Sequence, residues 1–348
     1  MKTFRERSFR ERVDPDLLPG LAFSETHPPP VSLAELAEFR EGAEAPAAAV
    51  VDPCVQVRDY ATNGLALRVF TPAGVGPHPA IYWLHGGGMI AGSVELDTAY
   101  CSSLTARVGA VVVAVDYRLA PEHPFPAPLE DALAGLEWLF DSAAELGIDP
   151  QRVAVAGSSA GGGLAAGLAL LNRDRAGLPL AFLYLMYPML DPTHSSGSAR
   201  EFAGIPTWNR ANSEFAWGCY LSGADADSPY AAPALAADVS GLPPVLIQTG
   251  ELDLFRDEDI AFAMENGVGY FVTDNEEELA VIDRIAGERG ILQKVLLRLT
   301  PGIDTHTYDA VNTGKVDSKF GSAITTGQAE KLFLLARPSN HNQSYRGH

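Results

Sequence analysis

"VAVAGSSAGGGLAAGLALL", residues 153–171, is the stretch from which the rest of the chain is read. It begins with small or β-branched apolar residues, passes through a glycine-flanked pair of serines, and ends in a run of Gly, Ala and Leu. The pattern predicts a buried strand, a sharp turn at Gly157-Ser158-Ser159-Ala160-Gly161, and a buried helix. In a G-x-S-x-G turn of this kind the glycines let backbone crowd in while the central serine is held out on the bend. Ser159 then sits at a helix N-terminus, where free N–H groups and the macrodipole favour the negative charge that develops on an attacked carbonyl oxygen. The bland reading is a tight turn into a helix. The sharper one is a nucleophilic serine, and two other segments favour it.

The first is "WLHGGGMIAGS", residues 83–93, which follows the apolar run "AIYWL". Its glycines bring backbone amides close to a ligand, and an acyl-transfer site needs donors aimed at a tetrahedral oxyanion. Gly87, Gly88 and Ala160, the residue after the serine, are the expected donors. His85 is read as a structural anchor of the loop. The second segment is "GELDLFRDEDIAFA", residues 250–263, directly after the run "VLIQTG". A carboxylate at the end of a strand can orient and charge-stabilise an imidazole. Asp253 is the expected orienting acid and Glu251 the fallback, with Asp257 and Glu258 as residues of a helix start.

From about residue 64 to 260, short apolar runs ("LALRVF", "AIYWL", "AVVVAVDY", "VAVAG", "AFLYLMYP", "VLIQTG") alternate with segments of helical periodicity. Near-continuous apolar strands separated by helices predict an α/β fold, a mostly parallel sheet with helices on both faces. The expected division is a helical cap or arm over 1–50, the core over 51–262, an atypical segment over 263–336 that completes or decorates the sheet, and a polar tail over 337–348. A Trp- and Phe-rich helical insertion is expected over 200–223.

The net charge of −19 excludes nucleic acid and anionic membranes as partners, because such a surface repels phosphates. The start, "MKTFRERSFRERVD", has no apolar core of a secretory signal, and no run is long enough to span a membrane, so a cytoplasmic protein is expected. Cys54, Cys101 and Cys219 have neither metal spacing nor an even number and are read as free thiols. No metal and no organic cofactor is implied.

Together HGGG, "VVAVDYRLAPEHPFPAPLEDA" (residues 112–132), GSSAGG and "LDLFRDE" resemble the hormone-sensitive-lipase family of α/β-hydrolase esterases, over about residues 30–262. The resemblance implies the α/β-hydrolase fold, hydrolysis of carboxylic esters with short or medium acyl chains, and a pocket partly roofed by an N-terminal helical cap. One departure is Ser158, where the family more often has Asp or Thr.

The order of the fold is Ser, acid, His, and only His306, His341 and His348 follow Asp253. Family members carry the His soon after the acid, beyond a strand ending in Pro-Gly; that window holds none here. His306, after Pro301-Gly302 and two residues before Tyr308, is the best base although it comes late. His341 reads as a solvated tail residue. The same region carries a second resemblance: "GVGYFVTDNEEELAVIDRIA" and "QKVLLRLTPGIDTHTYDAVNTGKVDSKFGSAITTGQAEKL" are similar to an internal piece of diaminopimelate decarboxylase, a pyridoxal-phosphate enzyme, over about residues 261–332. That piece lacks the region of the Schiff-base lysine, so a decarboxylase is not expected, and a junction near Met264 is. The expected function is a serine carboxylesterase acting on a small-molecule ester through Ser159, Asp253 and His306. The alternative is an impaired hydrolase that binds a small ligand because its His is displaced or missing. A sheet left without its last strand would expose an edge and invite a homo-oligomer.

Overall fold

The computed structural model describes residues 8–42, 50–222, 227–300 and 321–336, and the backbone of 345–347. In chain order the elements are helices α1 (Phe9–Arg12), α2 (Leu18–Thr26) and α3 (Leu33–Gly42), strands β1 (Gln56–Thr62), β2 (Leu65–Thr71) and β3 (His78–Leu84), then α4 (Thr98–Val108), β4 (Val111–Asp116), α5 (Ala127–Asp141), β5 (Ile148–Ser158), α6 (Ala160–Leu171) and β6 (Phe182–Met186). There follow α7 (Gly197–Glu201), α8 (Arg210–Tyr220), β7 (Val245–Gln248), α9 (Arg256–Glu265), β8 (Phe271–Thr273), α10 (Glu276–Arg289), β9 (Gln293–Leu297), β10 (Leu299–Thr300), β11 (Ser322–Ala323), α11 (Gln328–Leu335) and β12 (Tyr345–Gly347). Two compact units divide them, one of residues 13–259 and one of residues 1–12 with 260–348. The division falls close to the junction expected near Met264.

The first unit is built on a seven-stranded sheet in the order β1-β2-β4-β3-β5-β6-β7. β1 and β2 form an antiparallel hairpin whose loop is Asn63-Gly64, both at positive φ (50° and 85°), the conformation that a two-residue turn demands. β2 meets β4 antiparallel, and from β4 to β7 every pairing is parallel. The central strands are covered on both faces, so "VVVAVD" of β4 is buried from Val111 to Val115. One face packs Trp83, Val112 and Ala156 against Cys101 of α4. On β3, Tyr82 donates its hydroxyl to Ala132 O of α5 at 2.9 Å. β1 has no counterpart among the apolar runs: "QVRDYAT" is a half-exposed edge strand. The expected cap helix corresponds to α3, and the insertion at 200–223 forms α8, whose Asn212 Nδ2 donates to Pro29 O and Pro30 O at 2.7 and 3.2 Å.

In the second unit β8, β9 and β12 form a parallel three-stranded sheet and β10 pairs with β11. Ile282 and Ile285 of α10 share a core with Val295 and Leu332. Asn275 caps α10 by accepting Glu278 N–H at 2.9 Å, and Gly290 ends it at φ 63°. Among the described residues this segment makes small sheets of its own, where the sequence reading had it complete or decorate the main one.

Candidate active site

Parallel strands place all their C-terminal ends on one edge, and the register lines up four of them: Leu84 opposite Gly157, Ser158 opposite Met186, and Met186 opposite Gln248. The three segments singled out in the sequence leave the sheet there. Ser159 stands between β5 and α6 at φ 55°, ψ −122°, a conformation costly for a residue with a Cβ. Surrounding bonds hold it: Ser159 N–H donates to Met186 O at 2.9 Å, and its carbonyl accepts from Gly163 N–H at 3.1 Å and Met189 N–H at 3.0 Å. The glycines are there for clearance. A Cβ on Gly157 would lie 2.2 Å from Gly161 O, and one on Gly161 2.1 Å from Leu84 O.

The glycine loop after β3 faces this bend. A Cβ at Gly86 would lie 3.2 Å from Ser158 Oγ and 3.5 Å from Ser159 Cβ. Gly87, Gly88 and Met89 are at φ 119°, 65° and 63°, and Gly87 O accepts from Ile90 and Ala91 N–H at 3.1 and 2.9 Å, closing a tight turn. Among the described residues the N–H groups of Gly87, Gly88 and Ala160 have no acceptor. His85 anchors the loop. Its Nδ1 donates to Gly86 O at 2.7 Å, its ring stacks on Tyr117 at 4.1 Å, and Tyr117 donates to His85 O at 2.7 Å. Burial pulls the His85 pKa down, and its Nε2 is buried with no hydrogen-bond partner among the described residues. The "VDYRLAPEH" motif is thus the loop's scaffold: Asp116 Oδ1 also accepts Val94 N–H at 3.3 Å.

Asp253 lies on the loop after β7. Its Oδ1 accepts Phe255 N–H at 2.8 Å, and burial pushes its pKa up to about 6. Asp257 and Glu258 after it open α9, as expected of a helix start, and are also buried and bonded. Asp257 accepts from Arg256 Nε at 2.8 Å and Ser198 N–H at 3.2 Å, and Glu258 from Leu190 and Asp191 N–H at 3.1 and 3.3 Å. Glu251 contributes its carbonyl to Arg256 Nη1 at 2.7 Å. Asp259 is buried, and among the described residues its carboxyl oxygens have no partner at bonding geometry; Thr249 lies beside it without closing a bond. His306 lies outside the described residues, as do His341 and His348.

Sequence reasoning missed Trp208, whose ring edge lies where a Gly88 Cβ would come within 2.4 Å, and Arg40, which reaches the glycine loop from α3. The described residues hold no cluster of three or more His, Cys, Asp or Glu fit for a metal, and no helix among them is long and apolar enough to cross a membrane. The three cysteines are free.

A parallel sheet delivering a serine bend, a glycine loop and an acid to one edge defines an α/β hydrolase. The sequence profile of the α/β-hydrolase-fold family matches residues 81–268, and the chain belongs to that family. It is 39% identical over 219 residues to carboxylesterase NlhH of Mycobacterium tuberculosis, covering 60% of this chain and 68% of the relative. Esterase LipI of the same organism is 36% identical, covering 61% and 69%. Among solved structures, a bacterial heroin esterase superposes with a TM-score of 0.64 at 38% identity over 71% of this chain and 83% of its own. Esterase LipW from Mycobacterium marinum gives 0.65 at 34% over 74% and 82%. The resemblance to hormone-sensitive-lipase-like esterases is thereby borne out.

A second profile, the pyridoxal-binding domain of pyridoxal-dependent decarboxylases, matches residues 250–342, as the sequence of that region implied. The described lysines there do not fit the cofactor. Lys294 is exposed over the Tyr270 ring at 5.5 Å, and Lys331 is an exposed partner of Glu276 at 2.7 Å. A Schiff-base lysine needs a buried place facing the cofactor, which neither has.

Proposed function

We propose that the protein is a serine carboxylesterase for small esters of short to medium acyl chain; its named relatives are a carboxylesterase and esterases. The reading rests on one observation above all: Ser159 is held at positive φ at the start of α6, facing a loop whose Gly87 and Gly88 amides have no acceptor among the described residues. Ser159 Oγ attacks the ester carbonyl while His306 takes its proton. The oxyanion is stabilised by the amides of Gly87, Gly88 and Ala160, which need no reorganisation as charge develops. Asp253 fixes the tautomer of the imidazole and stabilises its cation. His306 then protonates the leaving alcohol, and water, deprotonated by the same imidazole, releases the acid from the acyl-enzyme.

The test is hydrolysis of p-nitrophenyl acetate and butyrate by the protein and by its Ser159→Ala and His306→Ala variants. Loss with both is expected. Activity that survives His306→Ala assigns the base elsewhere, and without a base a triad enzyme keeps roughly 10³–10⁴ over water. Ester binding with no Ser159-dependent turnover identifies a binding module instead.

A further inference from the structure

We propose that Arg40 of α3 is a positioning residue for the oxyanion loop, so that the donor geometry of Gly87 and Gly88 depends on the N-terminal helix being docked. The proposal rests on the assignment of those two glycines as oxyanion donors. The guanidinium spans both sides of the loop's far end: Nε donates to Ile90 O at 2.7 Å and Nη2 to Ala120 O at 2.7 Å. Ala120 closes the clip from its own side by donating N–H to Met89 O at 2.9 Å. The planar fork is aimed by Glu122, whose two oxygens accept from Nη1 and Nη2 at 2.7 and 3.1 Å.

Three successive residues, Gly87, Gly88 and Met89, have φ between 63° and 119°, and Met89 has a side chain to make that costly. A strained run persists only where its surroundings over-determine it. Arg40 and Ala120 do so at the Met89–Ile90 end, one turn from the donor amides. Ile90 and Ala120 are fully buried, so without the guanidinium their carbonyls lose the donor that satisfies them. The pair with Glu122 is a lesser contribution, because the Glu122 side chain is 56% exposed. Lysine, a single point donor, cannot span both carbonyls.

The experiment compares Arg40→Ala, Arg40→Lys and Glu122→Gln with the parent protein in three readouts: hydrogen exchange of the peptide containing residues 85–93, steady-state hydrolysis of p-nitrophenyl butyrate normalised to fluorophosphonate-titrated Ser159, and thermal unfolding. Arg40→Ala is expected to speed exchange of the loop and to lower kcat per titrated site by about 10- to 100-fold, with KM within about twofold, because a displaced donor is lost chiefly to the transition state. Arg40→Lys should fall between, and Glu122→Gln should stay within about twofold of the parent. Loop exchange and kcat per titrated site that are unchanged in Arg40→Ala overturn the proposal, whatever happens to the melting temperature. Equal losses in kcat and in titratable sites, with exchange faster throughout residues 13–259, would mean a general structural role and also overturn it. If the parent fails to label at Ser159 or to turn over, the esterase reading fails, while the exchange readout still decides whether Arg40 holds the loop.

Discussion

The backbone N–H of Ser159 is bonded to the carbonyl of Met186 at 2.9 Å, across the seam between β5 and β6. The next residue, Tyr187, is bonded to Gln248 O at the end of β7, so the serine bend is tied through one dipeptide to the strand that leads to Asp253. Ser159 and Asp253 are thus placed by sheet register, which a side-chain substitution barely perturbs and a backbone displacement upsets at once.

Gly161→Ala tests the clearance under the bend. Its Cβ would come within 2.1 Å of Leu84 O and 2.3 Å of His85 O, both backbone atoms at the root of the glycine loop. Relief requires moving α6 or β3, at a cost of about 1–3 kcal/mol or more. Urea unfolding should show that loss, and ester hydrolysis should fall further than the folded fraction does. Gly218→Ala in α8 is the control. No neighbour lies within 4 Å of that Cβ, and the helix should gain roughly 0.5–1 kcal/mol.

Gly88 and Trp208 should be energetically coupled. A Cβ at Gly88 would stand 2.4 Å from Trp208 Cη2, and φ 65° adds its own penalty. Gly88→Ala is expected to lower kcat/KM by pushing either the indole or the loop aside. Adding Trp208→Ala removes the clash but not the backbone strain, so it should restore part of the loss. A double-mutant cycle on kcat/KM should give an interaction of about 1 kcal/mol or more, and additivity would show that the ring yields freely.

What could be read from the sequence follows from what has a local signature. The inner strands β3 to β5 coincide with apolar runs because burial on both faces leaves no room for polar residues, whereas β7, with Val245 and Leu246 41% and 51% exposed, was legible as an apolar run that the sheet leaves uncovered. β1 escaped because an edge strand needs no apolar run, although Asn63-Gly64 marked its turn. Ser159, the glycine loop and Asp253 were legible as motifs. Asp257 and Glu258 do open α9, as their spacing implied, but spacing does not show that Ser198, Leu190 and Asp191 bring them buried N–H donors. Arg40 left no trace for a similar reason. Its acceptors are carbonyls, which every residue has, on segments distant along the chain.

Arg256 is expected to be among the costliest side chains to remove. It donates to Asp257 at 2.8 Å, Glu201 at 3.0 Å and Glu251 O at 2.7 Å, with its side chain 8% and that of Asp257 4% exposed. Arg256→Ala leaves a buried carboxylate without its cation, a loss of about 3–5 kcal/mol in denaturant unfolding. Because the bond to Glu251 O also shapes the loop that carries Asp253, kcat should drop under conditions where the variant is still folded.

Three buried carboxyls, Asp253, Glu258 and Asp259, should each take stability away as pH rises through the carboxylate range and beyond it, against the smaller, opposite effect of exposed carboxylates such as Asp59 and Glu122, whose pKa values are held down by Arg68 and Arg40. Asp253 is pushed from 3.8 up to about 6 by burial; Glu258 is pushed well above its ordinary value by burial and then by the Asp191 and Asp253 charges, and Asp259 by burial and then by Glu258 and Asp253. For each, the folded state holds its proton more tightly than the unfolded chain does. Between the two pKa values the native state binds more protons, so unfolding free energy decreases with rising pH and levels off above the folded pKa. For Asp253 the window is about pH 4 to 6, and the full loss is about 3 kcal/mol. Asp259 lacks the N–H donors that Glu258 has, so it gains least from ionising. Asp259→Asn should therefore leave stability at about pH 4 nearly unchanged and raise it at about pH 8, flattening the profile. Urea midpoints measured across that range decide it: a parent protein whose stability rises steadily from pH 4 to 8, or an Asp259→Asn variant destabilised equally at both ends, would mean that this carboxyl is ionised and paired in the folded protein.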